Sequence, residues 1–316
     1  MSLTSPSKAY KPFKYPWAFD FWERQQQMHW LALEVPMSQD VRDFNSMDAR
    51  MKALIVNIFR MFVQADIDVH NCYHKVYQRI FKPTEVQMML SAFANAETIH
   101  IQAYSHLLDT LGLPESDYHA FLEYEQMKAK HDFLHSFDPQ NPHDVALSLA
   151  GVSGFGEGLQ LFASFAVLLN FPRQNLLKGM GQMVSWSVRD ESLHCEGIMR
   201  LFHAYIAEND INRSKLDSDI SDLARSAVEI EDSFVDLAFT EGDVPGLTAA
   251  ELKQYIRYMA DYRLRQLGVT SIFGIDRNPL PWVDSQAVAI EHANFFEQQA
   301  TEYSKAATQG DWADVF

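Results

Sequence analysis

ETIH at residues 97–100 and ESLH at residues 191–194 share one pattern, a glutamate followed three positions later by a histidine. On an α-helix this spacing places the carboxylate and the imidazole on the same face, one turn apart. A single pair of this kind is common on solvated helix surfaces. Two pairs, each within an otherwise apolar segment, are what four-helix bundles use to hold two metal ions. Such a bundle needs one further carboxylate from each of two other helices.

The segment before the first pair supplies one candidate for these carboxylates. It contains two aspartates, Asp66 and Asp68, and helical spacing gives them different neighbours on the helix surface. The neighbours of Asp66 are apolar or aromatic: Phe59, Phe62, Val63, Val69 and Tyr73. The neighbours of Asp68 are mostly polar: Met61, Gln64, Asn71 and Lys75. Because an isolated ionised carboxylate is expensive to bury, we predict that Asp66 is a metal ligand and that Asp68 faces solvent.

The segment before the second pair contains the other candidate, Glu157. Residues 145–171 read VALSLAGVSGFGEGLQLFASFAVLLNF, which is long and apolar enough to suggest a membrane span. A glutamate at the centre of a span would be costly, and the rest of the chain is acidic and polar. We therefore predict a fully buried helix of a bundle, in which Glu157 has no Lys or Arg partner and binds metal.

The six predicted ligands fall into two matching half-sites, in each of which one helix gives a carboxylate and the next gives the Glu-x-x-His pair. They are Asp66, Glu97 and His100 in the first half, and Glu157, Glu191 and His194 in the second. A mixed oxygen and nitrogen donor set suits iron or manganese better than zinc. Two other histidine pairs have i, i+4 spacing, His70/His74 and His131/His135. Both pairs lack a third ligand nearby, so we predict ordinary surface positions for them.

Composition limits the functions that the chain can have. Its 316 residues carry a formal net charge of −16, which argues against nucleic acid or an anionic membrane as a partner. Cys72 and Cys195 both fall in predicted helices, so the sequence indicates no disulfide framework and a reducing, cytoplasmic location. The polar, proline-containing N-terminus has no apolar stretch of the kind that a signal peptide requires.

Helix breakers and caps predict an all-α fold without a second domain. Helices are expected over residues 20–33, 49–81, 84–111, 115–137, 145–171, 173–209, 214–241 and 248–267. We divide the chain into an N-terminal arm (1–20), a helical domain (21–290) and a C-terminal tail (291–316).

With the ligands placed, the sequence resembles the small, radical-generating subunit of class I ribonucleotide reductase over nearly its whole length. The resemblance implies a ferritin-like helical bundle with extra flanking helices and a dimetal-carboxylate site in its core. It implies two metal ions per chain, iron first and manganese as the alternative (Mn2 or mixed Mn/Fe), which react with oxygen or superoxide. It also implies a homodimer that passes a tyrosyl radical to a large catalytic subunit, where ribonucleoside diphosphates become deoxyribonucleotides.

The resemblance also assigns roles to residues outside the ligand set. Tyr104, four positions after His100, matches the radical tyrosine of the family, and Trp30 matches its electron-relay tryptophan. Asp190, in the family's R-D-E motif, would accept a hydrogen bond from Trp30 and orient His100. Tyr303 is the counterpart of the family's tail tyrosine.

Other parts of the sequence carry the same resemblance. NPLPW at residues 278–282 resembles the family's late signature, and GDWADVF at residues 310–316 resembles its acidic, aromatic docking peptide. The tail is shorter than in many relatives. Around the radical position Leu161 and Phe165 fit the family's apolar pocket, whereas Ser187 is polar.

Two alternatives share some of these features. A ferritin-like dimetal oxidase acting on a lipid or a hydrocarbon would use the same six ligands but would have no need of Tyr303 or the docking peptide. A ferritin-like storage or structural bundle would need neither Tyr104 nor Trp30. Because the sequence retains all six ligands and the tyrosine, we expect a metal site with a tyrosyl radical.

Overall fold

The computed structural model of the chain describes residues 2–118, 123–135 and 141–285. These ranges form a helical bundle, and the one β feature within them is an isolated bridge between Val244 and Leu247. The predicted all-α class is confirmed. The predicted C-terminal tail lies outside the described residues.

The helices agree with the predicted order and differ in several bounds. The first five are α1 (Pro16–Gln27), α2 (Ser38–Ser46), α3 (Ala49–Asn71), α4 (Gln78–Ile80) and α5 (Thr84–Leu111). The other six are α6 (Glu125–His135), α7 (Pro142–Ala150), α8 (Phe162–Arg173), α9 (Lys178–Glu208), α10 (Arg213–Ala238) and α11 (Ala249–Gln266). Short 3₁₀ turns occupy Ala32–Glu34 and Glu115–Tyr118.

Two segments of π-helical geometry interrupt the long helices. The first π segment, Cys72–Tyr77, joins α3 to α4, and the second π segment, Gly151–Leu161, joins α7 to α8. The sequence predicts uninterrupted α-helix in both regions. A π turn adds one residue to the hydrogen-bonded ring and frequently marks a functional site in a helix. Hydrophobic periodicity alone does not detect it, because the segment stays helical and apolar.

Some predicted bounds were wrong for identifiable reasons. α1 begins at Pro16, inside the predicted arm, because proline is well suited to the first turn of a helix. The stretch after it was predicted to be a polar link, yet it contains α2. The predicted helix 115–137 is divided into a 3₁₀ turn and α6, with residues 119–122 outside the described ranges.

The apolar helix predicted over residues 145–171 lies in the core. The stretch Pro142–Arg173 is the one helix among the described residues that is long and apolar enough to cross a membrane. However, 94% of its most apolar window is buried within the protein. This burial agrees with a core helix of a soluble protein.

The second π segment packs closely against α11. The Arg263 side chain donates a hydrogen bond from Nε to the carbonyl oxygen of Gly158 at 2.9 Å. A Cβ atom at Gly158 would lie 2.5 Å from the carbonyl oxygen of Ser153 and 2.7 Å from Arg263 Nε. Only glycine fits this close approach, which holds the segment that carries Glu157.

The start of α9 is fixed by two buried aspartates of α2. Asp40 accepts hydrogen bonds from the backbone N–H groups of Gly179 (3.1 Å) and Met180 (2.7 Å). Asp43 accepts one from Leu177 N–H at 3.0 Å. A carboxylate at this position satisfies N–H groups that have no partner within the helix and interacts favourably with its dipole. α2 thereby anchors the helix that carries the second Glu-x-x-His pair.

We predict that Asp40→Ala lowers the free energy of unfolding by about 2 kcal/mol, because two charge-assisted hydrogen bonds to the start of α9 are lost. Thermal and denaturant unfolding followed by circular dichroism would measure this loss. Asp48→Ala is the matched control, since Asp48 caps α3 through a single hydrogen bond to Met51 N–H at 2.9 Å. Its expected cost is about 1 kcal/mol. An equal or smaller loss for Asp40→Ala would contradict the anchoring role of α2.

Candidate metal centre

Four helical elements bring the six predicted ligands together in the interior. They are α3, α5, the second π segment and α9, which carry Asp66, Glu97, His100, Glu157, Glu191 and His194. Each of these side chains is at most 1% exposed. They form two overlapping groups that are each able to hold a metal ion, with donor atoms within 4.8 Å of one another.

The first group consists of Asp66, Glu97 and His100. The Nδ1 atom of His100 lies 3.2 Å from Glu97 Oε2 and 3.1 Å from Glu191 Oε1. The Nε2 atom on the other side of the ring lies 3.2 Å from Asp190 Oδ2. His100 therefore presents one ring nitrogen to the carboxylates of the cluster and the other to Asp190.

The second group consists of Glu97, Glu157, Glu191 and His194. His194 Nδ1 lies 3.0 Å from Glu97 Oε1, 3.1 Å from Glu191 Oε2 and 3.6 Å from Glu157 Oε1. Glu97 belongs to both groups, and the two oxygens of Glu191 face different histidines. Both carboxylates are thus placed to bridge two ions.

The donor set fits two cations. Asp66 Oδ2 and Glu157 Oε2 are buried without a hydrogen-bond partner, and Glu97 Oε1 and Glu191 Oε1 face the imidazole nitrogens of His194 and His100 at 3.0 and 3.1 Å. Burial raises the pKa of Asp66 well above its ordinary value and that of Glu157 to about 7. Unsatisfied buried carboxylates are costly in any fold, and divalent ions coordinated by these oxygens would remove the cost.

The prediction that Asp68 faces solvent was wrong. Its side chain is only 2% exposed. It accepts a hydrogen bond from Gln64 Nε2 at 2.8 Å and pairs with His131 Nδ1 at 2.6 Å. α6 packs over this side of α3, and the periodicity of a single helix cannot reveal a neighbouring helix. Asp68 is nevertheless absent from both ligand groups.

The other histidine pairs form no metal-binding group among the described residues. His70 Nδ1 lies 2.9 Å from the carbonyl oxygen of Ala94, and His74 Nδ1 lies 3.2 Å from Gln78 Oε1. The side chain of His135 lies outside the described part of the chain, so the pairing of His131 with it is untested.

Tyr104 lies on α5 beside the first ligand group and is 2% exposed. Its hydroxyl donates a hydrogen bond to Ser187 Oγ at 3.2 Å. Its ring stacks on Phe62 with centroids 4.4 Å apart, and Phe62 in turn stacks on Phe165 at 5.5 Å. Burial and the nearby carboxylate of Asp66 raise the pKa of the phenol, so it stays protonated.

A hydrogen-bonded network extends from the first ligand group to Trp30. Trp30 Nε1 donates to Asp190 Oδ2 at 2.8 Å, and the same oxygen lies 3.2 Å from His100 Nε2. The rings of Trp30 and His100 have centroids 6.0 Å apart. Trp30, Asp190 and His100 are each at most 3% exposed, so the whole network is buried. Tyr303 lies outside the described residues.

Some residues of the site were not predicted from the sequence. Tyr73 donates a hydrogen bond from its hydroxyl to Glu157 Oε1 at 2.5 Å. The sequence placed Tyr73 on the apolar face of the helix predicted over residues 49–81, and this indicated a packing role alone. Gln25 Nε2 donates to Asp190 Oδ1 at 3.4 Å, and Trp186 packs on Trp30 at 5.1 Å. Both contacts join residues that are far apart in the sequence, so no local pattern indicates them.

Comparison with known proteins agrees with this geometry. The family model of the ribonucleotide reductase small chain matches residues 7–279. The probable ribonucleoside-diphosphate reductase small subunit of Invertebrate iridescent virus 6 is 39% identical, over 100% of this chain and 99% of that protein.

Solved structures share the fold. The ribonucleotide reductase R2 subunit of Clostridium botulinum has a TM-score of 0.83 at 21% identity, covering 91% of this chain and 94% of that one. The dimanganese(II) NrdF of Streptococcus sanguinis has a TM-score of 0.79 at 18% identity, covering 90% of this chain and 99% of that one. The family match over most of the sequence and the 39% identical viral relative show that the chain belongs to the ribonucleotide reductase small chain family, whose members are oxidoreductase subunits.

Proposed function

We propose that the six buried side chains would hold two metal ions, since Glu97 belongs to both ligand groups and Glu191 faces both histidines. The observation that carries this proposal is the pair of overlapping groups of buried carboxylates and histidines, in which Asp66 Oδ2 and Glu157 Oε2 have no hydrogen-bond partner. The donors are those that iron and manganese both accept. Iron is the first expectation, and the dimanganese state of the Streptococcus sanguinis relative supports manganese as the alternative.

The site is suited to the oxidation of Tyr104 and to the protection of the resulting phenoxyl radical. Two bound metal ions would supply a one-electron oxidant there on reaction with oxygen or superoxide, and the buried phenol of Tyr104 would be the group that is oxidised. Phe62 covers the ring and is itself backed by Phe165, and this packing excludes water, which a phenoxyl radical requires. Ser187 Oγ, which donates to the Met183 carbonyl at 3.2 Å, is the hydrogen-bond partner nearest the phenol oxygen.

The Trp30 network is proposed as the route by which the oxidising equivalent leaves the site. Asp190 accepts from Trp30 and faces His100 through one oxygen, so the three groups are held in fixed contact. Arg189 supports the turn before Trp30 by donating to the carbonyl oxygen of Met28 at 2.7 Å. From Trp30 the route would continue to Tyr303 in the tail.

The acceptor is proposed to be a large catalytic subunit that reduces ribonucleoside diphosphates. As a small chain of this family, the protein pairs with a large subunit and forms a dimer. The tail, residues 291–316, is proposed to dock on the large subunit through its acidic, aromatic end. Two free cysteines, Cys72 and Cys195, are buried and unpaired with each other, which supports the proposed cytoplasmic location.

The alternative of a lipid or hydrocarbon oxidase has no support from the family match or from the relatives. A storage or structural bundle would also leave the Trp30–Asp190–His100 network without a purpose. The reductase subunit is therefore the function that the site and the family support best.

We predict that Asp66→Ala reduces metal binding to at most one ion per chain, because the first half-site loses its one terminal carboxylate. Asp68→Ala is the matched control: it is also a buried aspartate of α3, and two ions should remain bound. Elemental analysis after loading with iron(II) or manganese(II) would measure the stoichiometry, and circular dichroism would check the fold. Two ions in the Asp66→Ala variant, or equal loss in both variants, would refute the ligand assignment.

Tyr104→Phe should retain both metal ions and lose the tyrosyl signal in electron paramagnetic resonance. Phenylalanine keeps the stack on Phe62 but has no hydroxyl to give up a proton. Tyr77→Phe is a suitable control, since Tyr77 is equally buried and donates to Ser148, away from the ligands. A tyrosyl signal that persists in Tyr104→Phe would show that another residue is oxidised.

Deletion of residues 306–316 should abolish ribonucleotide reduction with the large subunit while the metal content and the radical remain. The deletion removes the proposed docking peptide (residues 310–316) with the four residues before it, and none of the six proposed ligands. A reductase assay on the reconstituted complex, with resonance spectra of the truncated small subunit, would separate the two effects. Full activity of the truncated chain would contradict the docking role of the tail.

A further inference from the structure

Tyr73 contacts two proposed ligands of the second half-site at once. It lies in the first π segment, is fully buried, and donates to Glu157 Oε1 at 2.5 Å. Its ring also meets the imidazole of His194 nearly edge-on, with centroids 5.9 Å apart and an interplanar angle of 80°. Phe93 packs on the ring of Tyr73 at 5.8 Å and on that of His194 at 4.5 Å. The phenol is thus held on one side of Glu157.

Glu157 has few other contacts that could orient its carboxylate. Arg263 holds the backbone of the second π segment at Gly158, but that contact does not set the rotation of the Glu157 side chain. Its Oε2 atom has no hydrogen-bond partner, and its Oε1 atom lies 3.6 Å from His194 Nδ1, too far for a strong hydrogen bond. Tyr73 is therefore the hydrogen-bond donor that fixes the rotation of this carboxylate.

The hydrogen bond also divides the roles of the two oxygens. A contact of 2.5 Å falls in the range of charge-assisted O–H···O⁻ bonds, which are stronger than neutral ones. With Oε1 engaged by the phenol, Oε2 is the oxygen of Glu157 that remains free to coordinate. A carboxylate held in this way offers one oxygen to a metal ion, whereas an unrestrained one can rotate to offer both or neither.

We propose that Tyr73 is a positioning residue that holds Glu157 in a one-oxygen orientation and so sets the affinity of the second half-site for its metal ion. The inference rests on the proposed dimetal function. The inference gives different roles to the two tyrosines beside the ligands, since Tyr104 donates to a serine and Tyr73 donates to a ligand carboxylate. Hydrogen bonds to metal ligands commonly change affinity by about tenfold to a hundredfold when removed.

The test is a titration of metal-free full-length protein with manganese(II), in which electron paramagnetic resonance reports free ions and coupled ion pairs separately. In Tyr73→Phe we expect one ion to bind as in the wild type. The second ion should bind about tenfold or more weakly, with a matching loss of the coupled-pair signal. Tyr77→Phe is the control, because Tyr77 lies in the same π segment, is also fully buried, and bonds to Ser148. It should bind both ions normally.

Three results would overturn the inference. The first is a coupled-pair signal and second-ion affinity in Tyr73→Phe equal to those of the wild type. The second is an equal loss in Tyr77→Phe, which would indicate a general effect of a lost buried hydroxyl on packing. The third is a wild-type chain that binds fewer than two ions, which would refute the proposed metal site itself. Normal wild-type binding with an unaffected Tyr73→Phe would refute the inference alone.

Discussion

The repulsion among four buried carboxylates is the constraint on which the rest of the structure depends. Asp66, Glu97, Glu157 and Glu191 approach one another in a fully buried region, where like charges repel strongly. Burial first and the neighbouring carboxylates second raise the pKa of Asp66 and Glu157, so these groups retain protons without cations, whereas His194 and His100 hold the pKa of Glu191 down at about 2. In the proposed dimetal state, bound cations would replace those protons.

The surrounding helices keep the cluster from relaxing. α9 is fixed at its start by Asp40, and the second π segment is fixed by Arg263 across the glycine at position 158. Apolar helix faces cover the remaining sides, so a carboxylate cannot rotate into solvent to escape its neighbours. The long apolar segment that resembles a membrane span lies in the protein core, and it encloses Glu157 among buried side chains.

The sequence was sufficient for those parts of the site that follow from one helix at a time. The spacing within each Glu-x-x-His pair places its two donors on one face of a helix, and the stripe around Asp66 distinguishes it from Asp68. The burial of Asp68 could not be predicted in this way, because it depends on how α6 packs over α3. The contact of Tyr73 with Glu157 depends on two π segments meeting in space, and a π turn leaves no periodic signal.

The hydrogen bonds of the two tyrosines determine what each can do beside an oxidising centre. A tyrosine loses its proton when it is oxidised, so the group that accepts the hydrogen bond affects both the ease and the consequence of oxidation. If Tyr73 lost its proton, the proton would pass to Glu157 and weaken a metal ligand, so oxidation there would damage the site. Tyr104 is hydrogen-bonded to the neutral Ser187, and its oxidation leaves the ligand set intact. The arrangement therefore favours Tyr104 as the proposed carrier of the radical and leaves Tyr73 the proposed role of positioning Glu157.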